Sequence, residues 1–149
     1  MKIFAVIDTN VIISALLTKY SDSATKRVLD SFFENKITMV YNDKIISEYN
    51  EVMNRKKFNF KSQDINTIID SFKCNGVFYK GIKTQERLPD PKDIVFYEVV
   101  LDARTEFETY LVTGNLKHFP VRPFVITPAQ LIEVLEKASK RSSLYVTKY

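Results

Sequence analysis

Three acids, Asp8, Glu48 and Asp93, are the residues of this 149-residue chain whose types and placement point to one chemistry. Asp8 directly follows the apolar run Ile3-Phe4-Ala5-Val6-Ile7. Glu48 lies on the helical turn beside Ile45 and Tyr49, an apolar face where an unpartnered carboxylate is costly to bury. Asp93 opens a helical pattern after a polar loop, and Asn115 follows Leu111-Val112-Thr113 by one glycine. In an open α/β sheet such positions fall beyond the carboxyl ends of the strands, where ligands collect. Oxygen donors without imidazole or thiolate select Mg²⁺ or Mn²⁺. Two such ions roughly 3.5–4 Å apart can clamp an in-line displacement at phosphorus, one of them lowering the pKa of a bound water. Asp8 is then the central ligand, with Glu48 and Asp93 completing the set directly or through water. Thr9, Asn10 and Thr113 would hold carboxylates or waters from behind.

Each acid also has a plain structural reading. Asp8 is a preferred helix cap. Glu48 can pair with Lys44 one turn earlier, and Asp90 and Asp93 suit the turn and cap around Pro91. Taken singly, these readings outweigh metal binding; joint placement at one sheet edge reverses them. An aspartyl phosphatase would want a second acid two residues after its nucleophile, and position 10 is Asn10. A hydrolase built on His118, the chain's one histidine, is disfavoured because that residue falls in a loop after Asn115 and reads as a surface histidine.

The elements that must position these residues alternate. Ile3–Ile7 is a continuous apolar run of the kind found in strands buried on both faces. Asp8 or Asn10 caps a helix with Val11, Ile12, Ala15 and Leu16, and Asp22 precedes a second with Val28, Leu29 and Phe32. Residues 37–41 form a strand, and Asp43 caps a helix with Ile45, Tyr49 and Met53 inward. Ser62 caps a helix with Ile65, Ile69 and Phe72, and residues 77–79 are a short strand. The helix from Asp93 turns Val95, Phe96, Val99 and Val100 inward; strands follow at 110–113 and 124–126, and Pro128 opens the last helix. This order predicts an α/β fold with a mainly parallel sheet.

The length favours one domain, and hydrophobic residues at 45% supply a core without staples. The single cysteine, Cys74, reads as a helix-end packing residue, and no run is long enough to be a membrane span, so a cytoplasmic location is the default. The net charge of +4 is compatible with a phosphate-bearing partner without demanding one. Its excess sits at Arg55, Lys56, Lys57 and Lys61 and at Lys137, Lys140, Arg141 and Lys148; solvated helix ends explain both sets as well as a binding patch does.

Four segments carry a resemblance. Ala5-Val6-Ile7-Asp8-Thr9-Asn10-Val11, Ile46-Ser47-Glu48-Tyr49-Asn50-Glu51-Val52, Asp90-Pro91-Lys92-Asp93-Ile94-Val95-Phe96 and Tyr110-Leu111-Val112-Thr113-Gly114-Asn115 resemble, in order, the acidic motifs of PIN-domain proteins, most closely the toxin branch of toxin–antitoxin pairs. The resemblance covers residues 1–136, with 137–149 left as a polar tail. It implies a PIN-like α/β/α sandwich with a mainly parallel sheet of four to five strands. It further implies a Mg²⁺- or Mn²⁺-dependent ribonuclease cutting RNA, a cognate antitoxin protein and a homodimer; the lack of a long apolar run predicts no membrane association. Carried over by position, Asp8, Glu48 and Asp93 match the three core acids, Asp90 an extra acid, and Glu98 a glutamate on the third-acid helix. The fourth motif departs from the pattern: Asn115 stands where the family has aspartate, offering metal a carbonyl oxygen but no charge. The alternative is therefore a catalytically weak or inactive module that binds RNA or protein on the same scaffold.

Overall fold

A computed structural model describes residues 3–147 of the chain, with side chains through position 141. Five strands alternate with helices: β1 Ile3–Ile7, α1 Thr9–Leu17, α2 Ala24–Phe33, β2 Ile37–Tyr41, α3 Asp43–Met53, α4 Ser62–Asn75, β3 Val77–Phe78, α5 Ile94–Ala103, β4 Thr109–Val112, β5 Val125–Ile126 and α6 Pro128–Thr147. The strands form one parallel sheet in the order β3-β2-β1-β4-β5. The parallel α/β architecture read from the sequence is thus present, with five strands. Both edges are two-residue strands, which leaves little unpaired ladder for another chain to join.

The long central strands are those with unbroken apolar runs. In β1, Ala5, Val6 and Ile7 are buried, and in β2 Met39 and Val40 are. Alternation puts Ile7, Ile37 and Met39 on the face covered by α1 and α2, with α6 packed beside α2, while α5 lies against β1, β2 and β4. Between α3, α4 and α5 the aromatic rings of Tyr49, Phe72 and Phe96 meet, Phe72 and Phe96 standing 5.6 and 6.5 Å from Tyr49. The buried Tyr49 hydroxyl donates to the carbonyl of Ile7, the last residue of β1. That bond fixes α3 at the carboxyl edge of the sheet.

Several boundaries shift by one residue. Ser23, not Asp22, caps α2, accepting from the Lys26 amide at 3.3 Å. Asn42, not Asp43, caps α3 through the Ile45 amide at 2.9 Å; Asp43 sits in the first turn, where its charge suits the helix dipole. Lys61 occupies the cap position of α4 without a side-chain bond, displacing Ser62 into the helix. Cys74 is exposed near the end of α4 rather than packed. The last helix continues through the segment expected to be a tail from position 137, because no glycine or proline interrupts 129–147; residues 148 and 149 lie outside the described residues.

Gly76, ending α4, passes so close to β2 that a side chain has no room. A Cβ there would strike the Phe72 carbonyl oxygen and stand 2.7 Å from that of Met39. Gly76→Ala is expected to destabilise the protein by about 2 kcal/mol through overpacking against backbone. A urea midpoint unchanged from that of the parent would show that α4 and β2 can separate freely.

Candidate metal centre

Parallel register builds the site. Ile7 of β1 pairs with Val112 of β4, so the next residues, Asp8 and Thr113, emerge side by side at the carboxyl edge. The Asp8 amide closes the ladder on the Val112 carbonyl at 2.9 Å, and the Thr113 hydroxyl donates to Asp8 Oδ2 at 2.8 Å. Asp8 is buried, at 6% exposure, and so is Thr113. Burial raises the Asp8 carboxyl pKa above its ordinary value; the Thr113 bond, the nearby amides of Thr9 and Asn10, and the field of His118 oppose the rise. Although Asp8 stands at the cap position of α1, its side chain makes no capping hydrogen bond. The carboxylate feels the first amides of α1 without being locked in a capping bond, and it turns to the Thr113 hydroxyl.

Thr9, the first residue of α1, is buried and donates its hydroxyl to Glu48 Oε2. This bond brings α3 to the end of β1. Among the described residues Glu48 makes no ion pair with Lys44. Its carboxyl pKa is raised, first by burial and then by the charges of Asp8 and Glu51, against the Thr9 bond and Arg55.

Asp93 occupies the cap position of α5 but makes no capping bond. Its side chain is 16% exposed, and its Oδ2 atom is buried without a hydrogen-bond partner. The imidazole Nδ1 of His118 lies 3.2 Å from that oxygen, close enough for an ion pair but not aligned as a hydrogen bond. Burial, then Asp8 and Asp90, push the Asp93 pKa up to about 6, with Glu48 adding to the rise and His118 opposing it. These mutual effects place Asp8, Glu48 and Asp93 within one another's fields.

The remaining predicted residues divide. Asp90 caps the 3-10 turn Pro91–Asp93 through the Lys92 amide at 2.9 Å, and reaches the site only by its charge on Asp93. Asn10 lends its backbone to Asp8, while the residue itself is exposed. Glu98 is not brought in: its carboxylate accepts the Thr84 amide at 2.9 Å and its carbonyl accepts the Ile82 amide, so it anchors the loop before α5. Five residues past Asp93 it points off the face that Asp93 occupies. Asn115 bonds through its backbone to the Thr113 hydroxyl at 3.0 Å, and its side-chain nitrogen meets His118 Nε2 at 2.9 Å.

His118 is the site residue that the sequence reading assigned to the bulk surface. The missed signal is its spacing: Asn115 and His118 bracket a single 3-10 turn, in which positions three apart eclipse. Either the imidazole is neutral with its proton on Nδ1, facing Asp93, or it is charged and Asn115 presents its oxygen instead.

Among the described residues no three His, Cys, Asp or Glu side chains already enclose a metal position. The donor chemistry nevertheless fits a hard cation: carboxylates raised by burial and by one another, and a buried oxygen of Asp93 with no bonded partner. Among the described residues no helix is long and apolar enough to cross a membrane.

Comparison with known proteins gives one finding. A family model described as the PIN domain matches residues 5–117, a span that includes Asp8, Glu48, Asp93 and Asn115. No curated protein and no solved structure gives a significant match.

The raised Asp93 pKa has a consequence for stability without divalent metal. A group whose pKa rises on folding favours the fold while protonated, below about 3.8, and withdraws that support as pH passes about 6. Asp93→Asn is therefore expected to stabilise the metal-free protein at pH 8, on the order of 1 kcal/mol after allowing for solvent screening. The gain should vanish below pH 4. Denaturant curves at both pH values check this, and an Asp93→Asn protein less stable at pH 8 would contradict it.

Proposed function

The chain belongs to the PIN-domain family, whose members are in general nucleases, and on that premise we propose that it is a Mg²⁺- or Mn²⁺-dependent endoribonuclease. The observation that carries the reading is the buried, unbonded oxygen of Asp93 in the field of Asp8 and Glu48. Three oxygen-donor side chains whose charges oppose one another are a poor arrangement for stability and a good one for a divalent cation.

Asp8, Glu48 and Asp93 would hold the ion, with Asn115 as a neutral donor beside them. A divalent ion bound there supplies an activated water and charge stabilisation at the phosphoryl group. The chain's own contribution is orientation. Thr113 holds Oδ2 of Asp8, and the amides of Thr9 and Asn10 steady the same carboxylate. The Thr9 hydroxyl holds Oε2 of Glu48, so both carboxylates have their torsions set before a cation arrives. The fields that raise these carboxyls toward protonation disappear when a cation takes the proton's place, so metal binding should also release protons. A role as the toxin of a toxin–antitoxin pair, with a small antitoxin partner and a homodimer, follows from the motif resemblance and belongs to the same proposal, as does the cytoplasmic location read from the composition.

One contact favours a second reading. The Asn115 side chain is engaged by His118, which removes a charged fourth corner and leaves a scaffold able to bind without cutting. The two readings differ in one assay. Purified protein with Mn²⁺ is expected to cleave RNA, with Asp8→Asn and Asp93→Asn each at least about a hundredfold slower. Calorimetry should show Mn²⁺ binding that Asp8→Asn abolishes. Equal cleavage by all three proteins would mark a contaminant. RNA binding without Mn²⁺ uptake would favour the non-catalytic module.

A further inference from the structure

The chain carries two clusters of positive charge, and the fold separates them. Lys137 and Arg141 of α6 border a groove with Ile3, Phe4 and Phe107, at the start of β1 and therefore at the sheet edge opposite the acids. Arg55, Lys56, Lys57 and Lys61 lie in the connection between α3 and α4, directly after the helix that carries Glu48. Arg55, two residues past the end of α3, reaches back to Glu51 at 3.2 Å, and Glu51 stands three residues from Glu48 and so neighbours it on one face of that helix. Arg55 is close enough to lower the Glu48 pKa.

That connection is built to hold its charges in place. Its sequence, Arg55-Lys56-Lys57-Phe58-Asn59-Phe60-Lys61, has four cations and no acid. Residues 56–58 form a 3-10 turn closed by the Phe58 amide on the Arg55 carbonyl and the Asn59 amide on that of Lys56, both at 3.1 Å. Asn59 takes the left-handed conformation, φ 57°, which brings Phe60 back against Phe58. Their rings stack at 5.7 Å and 16°, half-buried against the core. Lys56, Lys57 and Lys61 are exposed, and among the described residues none is in an ion pair; Arg55 alone is answered, by Glu51 at 3.2 Å. Lys57 rests over the Phe58 ring at 5.1 Å, and the braced backbone of the turn needs no ordering when these cations meet a polyanion.

We propose that the Arg55–Lys61 turn is a phosphate track for single-stranded RNA whose scissile bond lies among Asp8, Glu48 and Asp93. The assignment rests on the ribonuclease reading for what the track serves. The track itself reads backbone charge and not base sequence, because its donors are lysines and its aromatic rings are engaged by each other and by Lys57.

Fluorescence anisotropy with a short unstructured RNA, in EDTA so that no divalent metal is present, tests it. Replacing Lys56, Lys57 and Lys61 together by alanine should weaken binding at low salt by at least about tenfold. It should also flatten the slope of log K against log salt by about 2, at roughly 0.7 per phosphate for a single strand. Lys137→Ala, Lys140→Ala and Arg141→Ala combined remove the same charge from the far edge and should leave both quantities near those of the parent protein. Equal losses in the two triple variants, no loss in the first, or no binding by the parent would overturn the track. Cleavage of the same RNA with Mn²⁺ is scored separately: retained, track-dependent binding with no cleavage defeats the nuclease reading and supports the track.

Discussion

A carboxylate at the carboxyl end of the central strand, taken out of water before anything neutralises it, is the constraint on which the rest of the site depends. Asp8 reaches that position because β1 is apolar to its last residue and pairs in register with β4, so Thr113 arrives beside it as a ready donor. One side-chain hydrogen bond does not offset the desolvation of a carboxylate, and the raised pKa records the shortfall. Everything else near the site answers to that charge. Thr9 ties in Glu48, and Tyr49 ties the same helix to Ile7 from the side away from solvent. Two adjacent residues of α3 thus serve opposite ends, one a buried hydroxyl that fixes the helix and the other an acid held against an acid.

Much of the scaffold was legible in the residues. The runs of β1 and β2 are too apolar for anything but strands covered on both faces, and the i, i+3, i+4 stripes of α2 and α4 required helices. The order β3-β2-β1-β4-β5 was not legible, because periodicity says which residues are inside and nothing about which strand is the neighbour. Cap positions slipped by one where two cap-competent residues stood together, as with Asn42 and Asp43. The end of α6 slipped for a different reason: a polar composition is as compatible with a helix as with a tail.

The candidate site was half legible on similar grounds. Asp8, Glu48 and Asp93 are each detectable as acids at element boundaries, and Thr113 as a hydroxyl at the end of a strand. Glu98 was misplaced because motif position says only which helix a residue is on; its carboxylate turns toward the Thr84 amide and secures the loop instead. His118 was missed because a loop histidine next to lysine and phenylalanine looks solvated. Only the 3-10 turn reveals that it stands over Asp93 with Asn115 at its back.

That arrangement changes the meaning of the neutral fourth corner. An aspartate at 115 would bring one more negative charge to a place where burial, with Asp8, Asp90 and Glu48, already pushes the Asp93 pKa up to about 6. Asn115 brings none and holds an imidazole in its place, the one neighbour whose field relieves both Asp8 and Asp93. A four-acid pocket depends wholly on cations to hold its carboxylates together. A three-acid pocket with an amide-held imidazole is less repulsive when empty and, for the same reason, attracts a divalent ion less strongly. On the proposed metal-dependent reading, the asparagine at 115 trades metal affinity against the stability of the metal-free protein, and the buried oxygen of Asp93 without a hydrogen-bond partner is where a cation would tip that balance.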